Sequence, residues 1–488
     1  MKYEPVIGLE VHAELQTRSK MFCACPVVDS TRAEPNSAVC PVCAGMPGAL
    51  PVVNRAAVEH ALRVALALDC EVAQTSLFAR KNYFYPDLPK GYQISQYEYP
   101  LAQHGRLIID TPEGEYSVRV RRVHLEEDTG KLIHLQPENG EPCSLVDLNR
   151  AGVALLEIVS EPDLRTLEQA RAYAEGLRAV LRRVGANSGD MEKGVIRFEA
   201  NVSLRPAGSP VLGTRVEIKN LNSFRAMERA IAYEVQRQAA LLERGEAVRQ
   251  QTLGWDEVNE VTLAQRSKEE AHDYRYFPEP DLPPLVIDEA WIQRARASLP
   301  ELPRALKNRL HRQYNLPQVE AALLAADAAL AAYFEQAAAA AGGVAPPRAI
   351  AAWITGEMFA FMNQSGQTIA DLLVSPQSLA DLLRLLADGT INPNTAKLVL
   401  AEMLASGNPA AQIVAERNLC QVSDGGLIAE IVARVLAENP VEAQAYRQGK
   451  TSLFNWLLGQ VMRQTGGRAS PPAARAELER QLAGSGQG

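Results

Sequence analysis

The stretch that decides the fold class of this chain lies near its amino terminus and reads Ile7-Gly8-Leu9-Glu10-Val11-His12-Ala13-Glu14-Leu15. Apolar residues occupy every second position, and Glu10, His12 and Glu14 lie between them. Because successive side chains of a β-strand point to opposite faces, this pattern predicts a strand with one apolar and one polar face.

Two later stretches, residues 197–205 and 214–219, alternate in the same way and extend the predicted sheet. Their polar positions are Arg197, Glu199, Asn201, Arg205, Arg215, Glu217 and Lys219. Residues 118–120 and 123–126 also alternate, but with opposite parity, which predicts a β-bulge near Arg121 and Arg122.

Helices are predicted between these strands. Thr166-Leu167-Glu168-Gln169 has the pattern of a capping box, which predicts the start of one helix. A second helix is predicted to begin at Ser223 and to end before Gly245. Strands and helices in this order predict an α+β domain built on a mainly antiparallel sheet.

The proline-rich stretch at residues 278–284 marks the predicted edge of this domain, which we place at residues 1–290. Beyond it, apolar residues recur with helical spacing up to the carboxyl terminus. A chain of 488 residues is too long for one hydrophobic core, so at least one helical domain is expected to follow.

The net charge of -8 argues against a nucleic-acid partner when taken alone. Residues from 291 onward are nearly neutral, however, with 17 Lys and Arg against 16 Asp and Glu. Two basic clusters lie there, namely Arg294, Arg296, Arg304, Lys307, Arg309 and Arg312, and then Arg447, Lys450, Arg463, Arg468, Arg475 and Arg480. Such clusters are typical of solvated helix faces, and also of surfaces that contact phosphates.

The amino terminus carries no signal peptide, and no apolar run reaches the length of a membrane span. The sequence therefore predicts a cytoplasmic protein that does not interact with a membrane.

Four of the seven cysteines form two close pairs, Cys23 with Cys25 and Cys40 with Cys43. Two such pairs separated by a short loop have the spacing of a tetrahedral zinc site. Four thiolates leave no open coordination position, so the predicted role is structural. The alternative is four reduced cysteines in a loop.

Acidic and imidazole groups lie on three of the predicted strands, namely Glu10, His12 and Glu14, then His124, Glu126 and Glu127, and then Glu199. Carboxylates with an imidazole suit a hard cation such as Mg²⁺ bound near phosphate oxygens. Strand parity places Glu126, and not Glu127, on the same face as His124. The alternative is the solvated face of a half-exposed sheet.

Candidate cations for phosphate groups are Lys81, Arg197, Arg205 and Lys219. Two stretches, residues 81–87 and 272–278, are rich in aromatic residues, and the first of them begins with Lys81. The alternative for each cation is a salt bridge at the rim of the core. The chain has neither a phosphate-binding P-loop motif nor a glycine-rich dinucleotide motif, so any use of ATP requires another architecture.

Longer motifs are spread over the whole chain. Three of them read Val6-Ile7-Gly8-Leu9-Glu10-Val11-His12, Arg80-Lys81-Asn82-Tyr83-Phe84-Tyr85-Pro86-Asp87 and His272-Asp273-Tyr274-Arg275-Tyr276-Phe277-Pro278. Others lie at residues 91–96, 145–150, 157–163, 217–224, 388–391 and 458–462. Together they closely resemble the B subunit of bacterial tRNA-dependent amidotransferases.

The resemblance implies a cradle-like kinase domain over residues 1–290, a helical domain over 291–408 and a YqeY-like helical tail over 409–488. It also implies a heterotrimer with an A subunit that releases ammonia from glutamine and a small C subunit. In this family ATP phosphorylates the side-chain carboxylate of Glu-tRNA(Gln) or Asp-tRNA(Asn), and ammonia displaces the phosphate. Which of these misacylated tRNAs is the cellular substrate is left open.

By motif match, the resemblance implies that Glu10, His12, Glu127 and Glu199 are the metal-site residues, with Glu126 as a neighbour. Both Glu126 and Glu127 are kept as candidates, because the motif match indicates Glu127 and strand parity favours Glu126. Lys81, Arg197 and Lys219 are the expected cofactor-binding cations.

Two positions depart from the pattern of the family. The family usually has Cys-Asp where this chain has Phe198-Glu199, so that ligand is one methylene longer. It usually has Met-Glu-Glu-Gly where this chain has Met191-Glu192-Lys193-Gly194.

Two other functions fit parts of the sequence. An RNA-binding protein without catalytic activity that is stabilised by a zinc site would explain the cysteines and the basic helices. It would not explain three acid-bearing strands. A metal-dependent hydrolase would explain the acids but not the long helical part.

Overall fold

The computed structural model describes residues 3–136, 140–266, 274–421, 425–466 and 468–484, without the side chains of residues 265, 266 and 484. His272 and Asp273 of the aromatic motif lie outside the described residues. The chain divides into two compact units, Met1–Pro303 and Arg304–Gly488.

The first unit contains the strands. In chain order they are β1 (Tyr3–Glu14), β2 (Glu71–Val72), β3 (Thr75–Ser76), β4 (Ala79–Asn82), β5 (Tyr92–Ser95), β6 (Ala102–Thr111), β7 (Gly114–Glu127), β8 (Lys131–Leu135), β9 (Cys143–Asp147), β10 (Ala154–Ser160), β11 (Ile196–Pro206), β12 (Val216–Leu221), β13 (Gln251–Asp256), β14 (Val261–Arg266), β15 (Phe277–Pro278) and β16 (Leu285–Val286). The main sheet has nine strands in the order β14-β13-β12-β11-β1-β10-β7-β6-β2. Within the described residues, the pairing of β12 with β13 is the one parallel pairing of this sheet, so the predicted α+β class with a mainly antiparallel sheet is confirmed.

Strand β1 lies at the centre of the sheet, between β11 and β10. The predicted apolar face is confirmed, because Ile7, Leu9, Val11 and Ala13 are at most 1% exposed. This face packs in the core of the first unit, and the opposite face of the sheet is left to carry polar side chains.

The predicted bulge in β7 is confirmed. Val159 of β10 pairs with Arg122 and the next residue, Ser160, pairs with Val120, so Arg121 is the extra residue. A bulge of one residue reverses the parity of a strand. Both halves of β7 therefore pair with β10, although their alternating patterns have opposite parity.

In the described part of the first unit, helices pack in the same core as the apolar face of the sheet, and the last of them packs on the first helix. They are α1 (Arg55–Ala67), α2 (Leu167–Arg183), α3 (Phe224–Glu243) and α4 (Glu289–Ala297). Ser223 caps α3 as predicted. The predicted capping box on α2 is half formed, because Thr166 Oγ1 accepts from Gln169 N at 3.2 Å, whereas the Gln169 side chain accepts from Arg165 N.

The second unit is built from helices. In chain order these are α5 (Pro303–Tyr314), α6 (Gln318–Ala325), α7 (Ala328–Ala341), α8 (Pro347–Trp353), α9 (Phe359–Ser365), α10 (Pro376–Ala387), α11 (Pro393–Ser406), α12 (Ala410–Glu416), α13 (Gly425–Glu438), α14 (Pro440–Arg447), α15 (Leu453–Gln464) and α16 (Pro471–Gly484), with a π-turn at Ile354–Met358 and a 3₁₀ turn at Ile369–Asp371. They enclose two separate cores, one from Leu306 to Val414 and one from Ile428 to Leu482. The predicted helical half is therefore confirmed.

In the described part of the chain, no single helix has both the length and the hydropathy needed to cross a membrane. Helices α11 and α12 pass that test only when taken together, and they are bent by 111° at the break between them.

Candidate active site and cysteine cluster

A cavity of about 730 Å³ opens on the polar face of the nine-stranded sheet. Its acidic side chains come from strands β1, β10, β11 and β12, and Lys81 of β4, three basic residues of β7 and Tyr97, Tyr274 and Tyr276 also line it. We call this cavity the sheet pocket. The polar side chains of separate strands thus line the same cavity.

One group of potential metal ligands, His12, Glu126 and Glu157, comes from the three neighbouring strands β1, β7 and β10. We call it the His12 group. The register pairs His12 directly with Glu157, and His12 Nε2 lies 3.5 Å from Glu157 Oε2 and 3.8 Å from Glu126 Oε1. Glu157 is not among the predicted site residues, although it is the one charged residue of β10.

Charge inside the His12 group holds a proton on the imidazole when no metal is bound. Burial lowers the pKa of His12, but the bond to Glu157 and the neighbouring carboxylates outweigh burial and raise it to about 9. Burial also raises the pKa of Glu157, yet His124 and His12 together hold that pKa well below its usual value. His124 Nε2 lies 3.1 Å from Glu157 Oε2.

A second group of potential ligands consists of Glu10, Glu199 and Glu217, and we call it the Glu10 group. Glu10 of β1 is directly opposite Glu199 of β11, an arrangement in which like charges destabilise a sheet. Burial and the charges of Glu157 and Glu199 raise the pKa of Glu10 to about 7. Thr252 Oγ1 donates to Glu217 Oε2 at 2.8 Å.

The two groups fit a hard divalent cation. Each brings oxygen ligands, or oxygens and one imidazole, within 4.8 Å of one another, and Mg²⁺ prefers oxygen ligands and shared phosphates. The pKa of Glu10 is raised first by burial and then by the negative charges of Glu157 and Glu199, so both effects disfavour a metal-free carboxylate there. A bound cation would favour the charged carboxylate.

The structure does not bring Glu127 into either group. Its Oε1 lies 2.5 Å from Lys90 Nζ and accepts from Ile94 N at 2.9 Å. Glu126, its neighbour, lies in the His12 group as strand parity indicates. Adjacent residues of a strand point to opposite faces, so only one of the two joins the His12 group.

Lys81 lines the sheet pocket and has a different environment from the other predicted cations. Its Nζ lies 4.9 Å from the ring centre of Tyr274 and 5.8 Å from that of Tyr83. Among the described residues, no carboxylate oxygen lies within 4.0 Å of it. Burial lowers the pKa of Lys81, but the charges of Tyr276, Glu126 and other acids outweigh burial and raise it.

The remaining predicted cations are paired with acids. Lys219 Nζ lies 3.0 Å from Glu199 Oε2 in the sheet pocket. Arg197 Nη2 lies 2.9 Å from Asp128 Oδ2. Arg205, also considered for phosphate binding, pairs with Glu4 near the start of β1.

The four paired cysteines converge on one point, since their sulfurs all lie within 4.8 Å of one another. Cys43 Sγ is 3.8 Å from Cys40 Sγ and 4.0 Å from Cys25 Sγ. Zinc–sulfur bonds of about 2.3 Å in a tetrahedron place sulfurs about 3.8 Å apart, so the cluster has the dimensions of a zinc site. The Cys40 amide donates to Cys43 Sγ at 3.2 Å, as backbone amides do around bound thiolates.

Comparison with known proteins gives consistent matches over the whole chain. A family model described as the GatB/GatE catalytic domain matches residues 5–293, and one described as the GatB domain matches residues 332–482. Three curated relatives are similar to this chain, and each is named as the B subunit of an aspartyl/glutamyl-tRNA(Asn/Gln) amidotransferase. The relative from Moorella thermoacetica is 51% identical over 99% of this chain and 100% of its own length. Those from Thermomicrobium roseum and Myxococcus xanthus are 51% and 48% identical over 99% and 98% of this chain, and 99% and 98% of their own lengths.

Proposed function

This chain belongs to the family of aspartyl/glutamyl-tRNA(Asn/Gln) amidotransferase B subunits, and from that premise we propose that it activates a tRNA-bound Glu or Asp side chain with ATP. The observation that carries the proposal is the sheet pocket, which is lined by Lys81 together with members of both the His12 group and the Glu10 group. A non-catalytic RNA-binding role is not favoured, because it gives no reason for these buried and half-buried acids, which repel one another.

The proposed reaction has two steps. A side-chain carboxylate oxygen attacks the γ-phosphorus of ATP, ADP leaves, and an acyl phosphate forms. Ammonia then attacks the acyl carbon, the phosphate leaves, and loss of a proton gives the amide of Gln-tRNA(Gln) or Asn-tRNA(Asn).

The residues have distinct proposed roles in the first step. Mg²⁺, when bound, would neutralise charge on the phosphates, which is the main demand of phosphoryl transfer. The side chains of the His12 group and of the Glu10 group would hold Mg²⁺. Lys81 would place its charge beside the transferred phosphoryl group, and Lys219 would keep Glu199 in position. Arg197 is proposed to act from outside the pocket by fixing Asp128.

The B-subunit name of the relatives implies a complex of several subunits, and we propose an A subunit that supplies ammonia and a small C subunit. The proposed substrates are Glu-tRNA(Gln), Asp-tRNA(Asn) or both, made by aminoacylation in the cytoplasm. The direct test is amidation of each purified misacylated tRNA by the reconstituted complex with ATP. Absence of amide product from both would contradict the proposed function.

We propose that Cys23, Cys25, Cys40 and Cys43 bind one structural Zn²⁺. We expect elemental analysis of protein purified without chelators to give about one zinc per chain, because four thiolates complete a tetrahedral site. Removal of the metal should loosen residues 20–50, which faster amide hydrogen exchange there would report. Protein without stoichiometric zinc would contradict this assignment.

We propose that residues 1–290 form the kinase cradle, 291–408 a helical domain and 409–488 a tail, and that the helical parts bind tRNA by shape and phosphate contacts. Arg447, Lys450, Arg463, Arg475 and Arg480 of the tail are exposed. Helix α12 contributes Ile413 and Val414 to the core that begins at Leu306. A truncation that removes the tail core alone should therefore end at Gln421.

We expect the chain that ends at Gln421 to bind misacylated tRNA more weakly, by about tenfold or more, because several phosphate contacts are lost. Filter binding at a fixed salt concentration measures this. The matched control replaces two exposed tail arginines, Arg463 and Arg475, by Gln in the full chain, which should give a smaller loss and a shallower salt dependence. Unchanged tRNA affinity in the truncated chain would show that the tail is not part of the tRNA site.

We expect Mg²⁺ to stabilise the protein more at about pH 9 than at about pH 6. The pKa of Glu10 is raised to about 7 and that of His12 to about 9. Both folded-state values lie above the unfolded ones, so each group contributes stability at low pH that is lost as pH rises through 7 and 9 respectively. Mg²⁺ requires the deprotonated forms, so its affinity increases over the same range. Urea unfolding with and without Mg²⁺ measures the difference, and an equal gain at both pH values would contradict the ligand assignment.

A further inference from the structure

Lys20 is a buried cation beside the cysteine cluster. Its side chain is fully buried, with a relative exposure of 0%. Its Nζ lies 3.5 Å from Cys43 Sγ and 3.2 Å from the Leu148 carbonyl oxygen.

A buried ammonium group requires an anionic partner, since transfer of an unpaired charge out of water is costly. Within the described residues, no carboxylate oxygen lies within 4.0 Å of Lys20 Nζ. Glu127 lies near the same glycine, Gly152, but its carboxylate pairs with Lys90. Among the described residues, Cys43 Sγ is therefore the group in contact with Lys20 that would carry negative charge as a zinc-bound thiolate.

A tetrahedral site of four thiolates and one Zn²⁺ carries a net charge of about -2. Taking that charge out of water is unfavourable for the same reason as for Lys20. We propose that Lys20 is the internal counter-cation of this centre: its ammonium group donates to Cys43 Sγ and offsets part of the charge on the thiolates. This inference rests on the proposed zinc site and adds a residue outside the four ligands.

The backbone holds Lys20 in this place. Its amide donates to the Cys25 carbonyl at 3.0 Å, and the next amide, of Met21, donates to the Gly152 carbonyl at 2.7 Å. A β-carbon at Gly152 would lie 3.3 Å from Cys43 Cβ and 3.7 Å from Lys20 Cδ. Glycine, at φ +83°, therefore allows the lysine and the cysteine loop to approach closely.

The test compares zinc affinity in three variants of the full chain, measured by competition with a chromophoric chelator. Lys20→Gln keeps a donor for the Leu148 carbonyl but removes the charge, and Lys20→Arg keeps the charge. Arg18→Gln removes an exposed cation two residues away and is the matched control. Groups that support metal ligands from outside typically change affinity about 10–100-fold.

We expect Lys20→Gln to bind zinc about 10–100-fold more weakly, and Lys20→Arg and Arg18→Gln to stay close to the original protein. If Lys20→Gln folds only with added zinc, the zinc concentration that restores its native circular dichroism gives the same comparison. Equal zinc affinity in Lys20→Gln, or an equal loss in Lys20→Arg, would overturn the role of its charge. An original protein that takes up no zinc would instead remove the zinc site on which the inference rests, and leaves amidation activity as a separate question.

Discussion

Replacement of Glu10 by Gln should lower tRNA-dependent ATP hydrolysis about 100-fold or more while tRNA affinity stays nearly unchanged. The substitution keeps the size of the side chain and removes the negative charge. Glu10 lies opposite Glu199 and beside Glu157 in the sheet pocket, where we propose that Mg²⁺ is held. Loss of this contact matters most while charge moves on the γ-phosphate, so the turnover rate falls far more than binding does.

The assay is ATP hydrolysis by the reconstituted complex with Glu-tRNA(Gln), beside basal glutaminase activity without tRNA or ATP. Basal glutaminase activity should survive, because that chemistry is proposed to lie on the A subunit. Glu4→Gln is the matched control, since Glu4 lies on the same strand but pairs with Arg205 and does not line the pocket. Near-normal phosphorylation of the tRNA-bound glutamate in Glu10→Gln would mean that the acids form only a solvated sheet face.

Replacement of Lys81 by Met should also lower the turnover rate about 100-fold, because removal of a preorganised charge at the reacting group typically has this effect. Lys81 lies half-buried in the sheet pocket with tyrosine rings as its near neighbours and, in the described part of the chain, without a carboxylate at ion-pair distance. Its charge is therefore available to an anionic substrate.

Lys219→Met is the informative comparison. Lys219 already pairs with Glu199 at 3.0 Å and lies 3.9 Å from Glu217, so its loss should have a smaller effect on turnover and should strengthen Mg²⁺ binding. Circular dichroism of both variants checks that the fold is kept. Normal turnover in Lys81→Met, or a larger loss of turnover in Lys219→Met, would contradict the proposal that Lys81 contacts the phosphate.

Sequence patterns predicted the local features of this fold because each depends on neighbouring residues. Alternation with period two predicted β1 and its buried face. Opposite parity on either side of Arg121 predicted the bulge, and the serine before α3 predicted its start. The cysteine spacing predicted a compact cluster, which the sulfur distances match.

The composition of the pocket depended on contacts between distant strands. Glu157 reaches His12 because β10 pairs with β1, although the two residues lie far apart in the chain. Glu217 joins Glu10 through the pairing of β12 with β11 and of β11 with β1. The alternation of residues along a strand does not show which other strand it pairs with. Sequence alone therefore could not assign Glu157 and Glu217 to a site.

The sequence by itself determined the strand faces, the cysteine cluster and, through its motifs, the family. Only the tertiary structure decided which acids lie together, and it separated Lys81 from the paired cations Lys219 and Arg197. The physical reason is that the direction of a side chain follows from local backbone geometry, whereas its electrostatic environment depends on the register between strands that are distant in the chain.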